Sequence, residues 1–387
     1  MANERPYLLD VTRLIWRRWV GRLPTGIDRV CLAYLDRYRG QSQAVIHRRG
    51  FRRILSHSAS DRLFETLDAP GPGVRAELAK MIGVEWLRTF QPLPGRGRLY
   101  LNVGHTGLHN QGYLLWTRAA DVRPIYVVHD LIPITHPKYC RAGEARLHAK
   151  RVRNMLSSAV GIIGNSDATL ASLAEFAARE SLRIPATIAA PLGTGIRRSA
   201  LLAPERPERS TFVVLGTIEA RKNHLMLLQI WARLVRAWGK DAPRLLVIGQ
   251  RGWECDQVFN LLDRSEALRG TVSEIAHCSD AQLSEYLATA TALLFPSLAE
   301  GYGLPLVEAL TTGTPVIASD LPVFREIGQG VPDFLDPLDD SAWEQAILCY
   351  ARPDSTARKA QVVRLAGYRT PRWGDHFDRV NAWLETL

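Results

Sequence analysis

Long apolar runs are missing from this 387-residue chain, and none approaches the roughly 20 residues an α-helix needs to cross a bilayer. Its first residues, Met-Ala-Asn-Glu-Arg-Pro, lack the basic-then-apolar layout of a secretory leader, so a cytoplasmic, unexported chain is expected. Cysteine is scarce and scattered. Cys31, Cys140, Cys255, Cys278 and Cys349 form an odd set without any Cys-x-x-Cys. That argues against a disulfide framework or a zinc site and leaves small buried apolar groups in a reducing compartment. Asp-x-Asp is absent too, so no aspartate pair of that spacing is available to hold a divalent cation. Helix-turn-helix, RNA-binding aromatic and zinc-finger signatures are also lacking, which makes nucleic acid the weakest partner for a basic chain.

What is present is an ordinary globular composition, 46% apolar and 23% charged, with a net charge of +10. A surplus of arginine suits anionic lipid or phosphorylated substrates. The length suggests two domains. Short apolar runs alternate with longer helical patterns. Strands are expected at residues 7–10, 98–103, 124–128 and 160–163, with helices at 27–38 and 168–178. Proline and charge then interrupt the rhythm around 195–210. It resumes with strands at 211–215, 244–248, 292–295 and 315–318 and helices at 223–238, 280–290 and 305–311. Such alternation implies two α/β domains, each a parallel sheet with crossover helices. The expected boundaries are 1–196, a linker 197–210, a second domain 211–368, and a C-terminal helix 369–387 that can cross back to the first domain. Ligands of such sheets bind beyond the carboxyl ends of the strands, which puts the informative residues just after strands.

Two post-strand segments carry the chemistry. After residue 215 comes Gly216-Thr217-Ile-Glu-Ala-Arg221-Lys222-Asn223. Gly216 lets backbone approach a ligand, Asn223 is placed to cap the next helix, and Arg221 with Lys222 offers two cations suited to a diphosphate. After residue 295 comes Pro-Ser-Leu-Ala-Glu300-Gly301-Tyr302-Gly303-Leu304-Pro305-Leu-Val-Glu308. Pro305 fits the first turn of a helix whose free N–H groups can receive an anion. Glu300 before that helix and Glu308 one turn inside it can bracket one ligand, because carboxylates accept two hydroxyl donors at once.

Glu300-x7-Glu308 with Glu-Gly-Tyr-Gly resembles the donor motif of retaining GT-B-fold glycosyltransferases, a group that includes bacterial α-mannosyltransferases. Gly216-Thr-Ile-Glu-Ala-Arg-Lys-Asn-His224 resembles the diphosphate loop of the same group. Thr25-Gly-Ile-Asp-Arg29, Val127-Val-His-Asp-Leu-Ile-Pro133, Gly164-Asn-Ser-Asp167 and Pro191-Leu-Gly-Thr-Gly195 agree with it. The resemblance implies two Rossmann-like domains, an N-terminal acceptor domain and a C-terminal nucleotide-sugar domain, with a cleft between them. It also implies roles. Glu308 binds the ribose, Glu300 and the amides of 301–304 hold the sugar, and Gly216, Thr217, Arg221 and Lys222 hold the diphosphate. Glu300, His129, Lys222 and Arg221 form the catalytic set, with His129 facing the transferred sugar or its phosphate. Gly26 lies on the acceptor-side loop. Asp28 and Asp130 are read as acceptor contacts or as helix caps and salt-bridge partners, and His105 as a cleft residue or a structural one.

Two departures stand out: Ala220 replaces a common proline before Arg-Lys, and Tyr302 replaces a common phenylalanine, with a hydroxyl that can reach sugar or water. The resemblance implies retaining, metal-independent transfer of a hexose, with GDP-mannose as the first donor considered and no cofactor. The acceptor would be a growing surface polysaccharide or a lipid-diphosphate-linked oligosaccharide. A disaccharide synthase or phosphorylase, a sugar-nucleotide epimerase and a non-catalytic basic module are the alternatives. Base selection is assigned to a loop at 272–277. Segment 13–23, Arg-Leu-Ile-Trp-Arg-Arg-Trp-Val-Gly-Arg-Leu, mixes arginine with tryptophan and suits an anionic membrane surface at the inner face of the plasma membrane, a loop touching a lipid-diphosphate acceptor, or a loop packed on its own domain.

Overall fold

The computed structural model describes residues 5–21, 25–48, 51–68, 71, 73–88, 94–110, 112–196, 208–253 and 255–387. The chain divides into two units, Met1–Leu192 with Trp373–Leu387, and Gly193–Arg372. Most of the expected linker, 197–207, lies outside the described residues.

The first unit is built on a seven-stranded sheet of order β3-β2-β1-β4-β5-β6-β7. The strands are β1 (Tyr7–Asp10), β2 (Ser42–Arg48), β3 (Phe51–Ile54), β4 (Arg98–Asn102), β5 (Val122–Val128), β6 (Gly161–Gly164) and β7 (Ala186–Ala189). All neighbours are parallel except the hairpin β2–β3. The helix Gly26–Tyr38 turns Val30, Tyr34, Leu35 and Tyr38 into the interior, a spacing of about one turn that gives it a single apolar face. The last helix, Trp373–Leu384, packs on this one: Tyr38 donates to Asn381 Oδ1 at 2.7 Å, and the Tyr34 hydroxyl lies 2.9 Å from His376 Nε2.

The second unit carries six parallel strands: β8 (Thr211–Leu215), β9 (Arg244–Ile248), β10 (Val272–Ile275), β11 (Ala292–Phe295), β12 (Val316–Ser319) and β13 (Asp333–Leu335). Their spatial order is β10-β9-β8-β11-β12-β13. The first and fourth strands of the unit therefore lie side by side, and the winding direction reverses between them. That reversal opens a crevice at the carboxyl ends of β8 and β11. Strands β8, β11 and β12 are buried on both faces, apart from the last residue of β8, as the near-continuous Val, Ile, Leu and Phe of a covered parallel sheet require. Their helices complete a core around Trp231, Phe212 and Trp343.

Three expectations change. Segment 12–20 is an α-helix, Thr12–Val20, not a loop: Leu14 and Ile15 face inward, and Gly21 ends it in a left-handed turn. Residues 272–275, expected in a base-selecting loop, form the edge strand β10. Asn223 does not cap the helix His224–Trp238 with its side chain. Its own backbone is left-handed, and its amide donates to the Pro337 carbonyl at 2.9 Å.

The crevice depends on close backbone packing. Gly249, at φ +154°, follows β9, and a Cβ there would lie 2.0 Å from the Gly216 carbonyl oxygen. Gly249→Ala is expected to cost on the order of 3 kcal/mol, through strain and displacement of the Gly216 turn. A wild-type urea midpoint in that variant would refute this packing.

Candidate functional site

The crevice in the second unit is lined by the turns after β8 and β11. Gly216 ends β8 at φ +133°, and a Cβ on it would press within 3.3 Å of Lys222 Cε and Nζ. Residues Ala220–Lys222 form a 3₁₀ turn that begins at the alanine, closed by Lys222 N–H donating to Glu219 O at 2.9 Å. The second turn is stitched to the first: Leu298 N–H donates to Arg221 O at 2.7 Å, and Arg221 Nη1 donates to Ala299 O at 3.1 Å.

Glu300 closes this junction. Its carboxylate lies 2.5 Å from Lys222 Nζ and 2.9 Å from Arg221 Nη1, and accepts from Ser297 Oγ at 2.9 Å. Arg221 also meets Glu219 at 2.5 Å. Lys222 Nζ sits 4.7 Å over the Phe295 ring. The Glu300 side chain is only 8% exposed. Burial pushes its pKa up, but Arg221, Lys222 and Ser297 outweigh that and hold it at about 2. Burial pulls Lys222 below the ordinary lysine value, and Glu300 only partly restores it. His224, buried beside this lysine, is pushed down to about 3 and stays neutral.

The structure thus brings together Gly216, Thr217, Arg221, Lys222 and Glu300, and sets 301–304 at the start of the helix Leu304–Thr312, with Pro305 in its first turn. Glu308 is buried one turn inside that helix, and Tyr302 is buried, so its ring packs inward. Sequence reasoning missed Glu219, Ser297 and Phe295. An acid two residues before Arg221 was the available signal for the first. Paired in this way, neither Arg221 nor Lys222 is the open cation that the sequence suggested.

The first unit holds the other candidates. Asp28 is fully buried. It meets Arg13 Nε at 2.7 Å and Arg17 Nε at 2.6 Å, and accepts from the Thr25 N–H and hydroxyl at 2.7 Å each. Capping and salt-bridge contacts are thus the ones the structure shows for Asp28. Gly26 is exposed at the start of this helix. Asp130 Oδ1 accepts from Ile132 N–H at 3.1 Å, the capping option again. His105 and His129 lie side by side past β4 and β5, their ring centroids 5.0 Å apart. Asn165 donates to His129 O at 2.8 Å, another partner the sequence did not single out.

Residues 203–330 match the family model for glycosyl transferases group 1. Serotype-specific mannosyltransferase WbdA of Escherichia coli is 31% identical over 228 residues, 55% of this chain and 28% of that one. O-antigen chain mannosyltransferase B of Escherichia coli is 28% identical over 257 residues, 65% of this chain and 67% of that one. Anabaena HepE, solved with UDP and glucose, superposes with a TM-score of 0.68 at 14% identity, over 99% of this chain and 100% of that one. Sucrose-phosphate synthase from Thermosynechococcus elongatus gives 0.61 at 16% identity, over 99% of each. These likenesses define the class: two parallel Rossmann-like sheets in the GT-B arrangement. Residues 203–330 are thus similar to the glycosyl transferases group 1 family, and bacterial mannosyltransferases are among the relatives of the chain. It spans little more than a quarter of the length of WbdA.

The depressed pKa of Glu300 has a thermodynamic sign. A carboxyl whose folded value lies near 2, below its ordinary 4.5, stabilises the fold above pH 4.5 and loses that contribution as pH falls toward 2. Glu300→Gln leaves Lys222 without its counter-charge and is expected to cost about 3 kcal/mol at pH 7. It should also flatten the fall in urea midpoint between pH 4.5 and 2. Parallel curves for the two proteins would contradict the pairing.

Proposed function

We propose that this protein is a retaining glycosyltransferase that moves a hexose from a nucleoside diphosphate sugar to a growing surface polysaccharide or lipid-linked oligosaccharide. The observation that carries this reading is Glu300 held against Lys222 and Arg221 at the winding reversal of the second unit, with Glu308 one turn into the next helix. An incoming diphosphate competes with Glu300 for both cations. Once the phosphates take Lys222, Arg221 and the amides at the start of the helix Leu304–Thr312, Glu300 is released to accept sugar hydroxyls, and Glu308 takes the ribose. The same cations stabilise the charge that grows on the departing diphosphate. That group takes the acceptor's proton in a same-face displacement, with no covalent enzyme nucleophile. Arg221 and Lys222 supply the positive charge that a metal would otherwise bring. The names of the relatives favour mannose, hence GDP-mannose as donor.

In a thermal-shift screen of UDP, GDP, dTDP and CMP with their sugars, GDP and GDP-mannose are expected to stabilise the protein most. Glu308→Gln should remove most of that shift, and excess EDTA should leave it unchanged. No shift with any nucleotide would overturn the donor site, and a strict need for magnesium or manganese would overturn the metal-free reading.

We also propose that the protein works at the inner face of the plasma membrane, held there by the helix Thr12–Val20. No helix among the described residues is long and apolar enough to cross a bilayer. This one instead leaves Trp16 54% and Trp19 46% exposed beside exposed Val20, with no acidic residue along its length. Arg18 donates to the Leu67 carbonyl, and Arg75 lies exposed where the helix ends at Gly21. Flotation with vesicles rich in phosphatidylglycerol should carry the protein upward at low salt, and a Trp16→Ser, Trp19→Ser double variant should stay behind. Equal flotation of the two proteins would sink the assignment.

A further inference from the structure

His105 and His129 form a reciprocal pair in the first unit. β4 and β5 are parallel neighbours, with Leu101 opposite Ile125 and Asn102 opposite Tyr126. Beyond their carboxyl ends, His129 Nε2 lies 2.7 Å from the Val103 carbonyl oxygen, on the β4 side. His105 Nε2 lies 2.7 Å from the Val127 carbonyl oxygen, on β5. Each ring therefore reaches across to the backbone of the other strand. A carbonyl oxygen only accepts, so Nε2 carries the proton in both rings. Both imidazoles are neutral. Burial pushes His129 down to about 4 and His105 well below the ordinary histidine value, and the Arg13 cation facing both adds to this. In a neutral Nε2–H ring, Nδ1 keeps its lone pair.

The backbone beneath His105 is held against its preference. Its φ is +58°, a left-handed conformation that costs energy for any residue with a Cβ. A buried frame maintains it. Asn102 Oδ1 accepts from Thr106 N–H at 3.1 Å, and Asn102 Nδ2 donates to Thr106 O at 2.9 Å. Asn102 also donates to the Tyr100 hydroxyl at 3.3 Å, which donates to Asp10 at 2.7 Å, with His47 Nε2 2.9 Å from the same carboxylate. So many buried polar groups around one short loop indicate that its geometry matters beyond packing.

We propose that His105 is a positioning residue for His129. By tying the β4 turn to β5 it places the Val103 carbonyl, which fixes His129 as the Nε2–H tautomer and presents Nδ1 as a neutral hydrogen-bond acceptor. The partner of such a nitrogen is a hydroxyl donor. A phosphate oxygen would set lone pair against lone pair. Of the two roles implied for His129, sugar or phosphate, the pair selects the sugar. Calling that hydroxyl a sugar's rests on the proposed transfer reaction; the tautomer does not.

The test uses the full chain labelled with ¹⁵N-histidine. In the wild type, His129 is expected to show a protonated Nε2 and a bare Nδ1 at neutral pH. His105→Phe keeps the ring volume but cannot donate to Val127. It should shift the His129 nitrogen signals toward a mixture of tautomers and lower kcat for GDP-mannose turnover about tenfold or more, with KM for the nucleotide sugar little changed. His105→Gln, whose terminal amide can reach the same carbonyl, should restore both readouts. A protonated Nδ1 on His129 in the wild type, or unchanged kcat and nitrogen signals in His105→Phe, would overturn the proposal. Stabilisation by GDP runs through the second unit and should be the same in all three proteins. Its absence from the wild type would count against the donor site alone and leave the tautomer measurement to decide the histidine pair.

Discussion

Glu300 is a carboxylate with little solvent around it, and it stays ionised because Lys222 and Arg221 stand within 3 Å of its oxygens. Neither partner would be tolerated there alone. A buried ammonium and a buried carboxylate each carry a desolvation cost of several kcal/mol, offset only while the geometry between them is good. That geometry depends on two turns that are distant in sequence and adjacent in space. The turn after β8 brings the cations and the turn after β11 brings the acid, and they meet because the sheet reverses its winding between those strands. The hydrogen bonds of Leu298 N–H and Arg221 Nη1 across the junction hold the two turns in register. The sheet order is thus the cause of the site, and the ion pair is what joins its two halves.

The first unit uses the same kind of sheet to a different electrostatic end. Its residues past β4 and β5 are imidazoles kept neutral by burial and by a nearby arginine whose own charge is met by Asp28. One unit therefore offers paired charges that an anion can exchange with, and the other offers uncharged hydrogen-bonding groups of fixed direction. Fixed charge suits the phosphates of a nucleotide. Directional neutral acceptors suit hydroxyls, whose recognition depends on angle more than on field.

Much of this was legible in the sequence. Runs 211–215, 244–248 and 292–295 became strands at those bounds, because unbroken apolar runs between turn residues are what a parallel strand covered on both faces requires. Pro305 marked a helix start, since its missing N–H costs nothing in the first turn. The misses share a cause. β3 reads Phe-Arg-Arg-Ile and β10 reads Val-Ser-Glu-Ile, edge strands too short and polar to show periodicity. The helix at 12–20 was hidden because its exposed face is as apolar as its buried one. Asn223 and Asp28 were ambiguous for another reason. A short polar side chain serves as cap, salt bridge or ligand with the same few atoms, and only the positions of Pro337, Arg13 and Arg17 decide which.

The pairing of Arg221 and Lys222 is the feature the sequence could least reveal, and it changes how the site is understood. Two adjacent basic residues read as a waiting anion site. In the fold their charge is already balanced by Glu219 and Glu300, so under the proposed reaction a diphosphate would enter by exchange rather than by filling an open cation pocket. Exchange confers a selectivity that open charge does not. A free phosphate would gain the cations but strand the buried Glu300 carboxylate without a partner. A ligand that also carries hydroxyls for Glu300 satisfies every group it disturbs. On the proposed function, the balanced network would disfavour simple anions and favour a phosphate joined to a sugar, a specificity set by the pairing of four side chains rather than by the shape of a pocket.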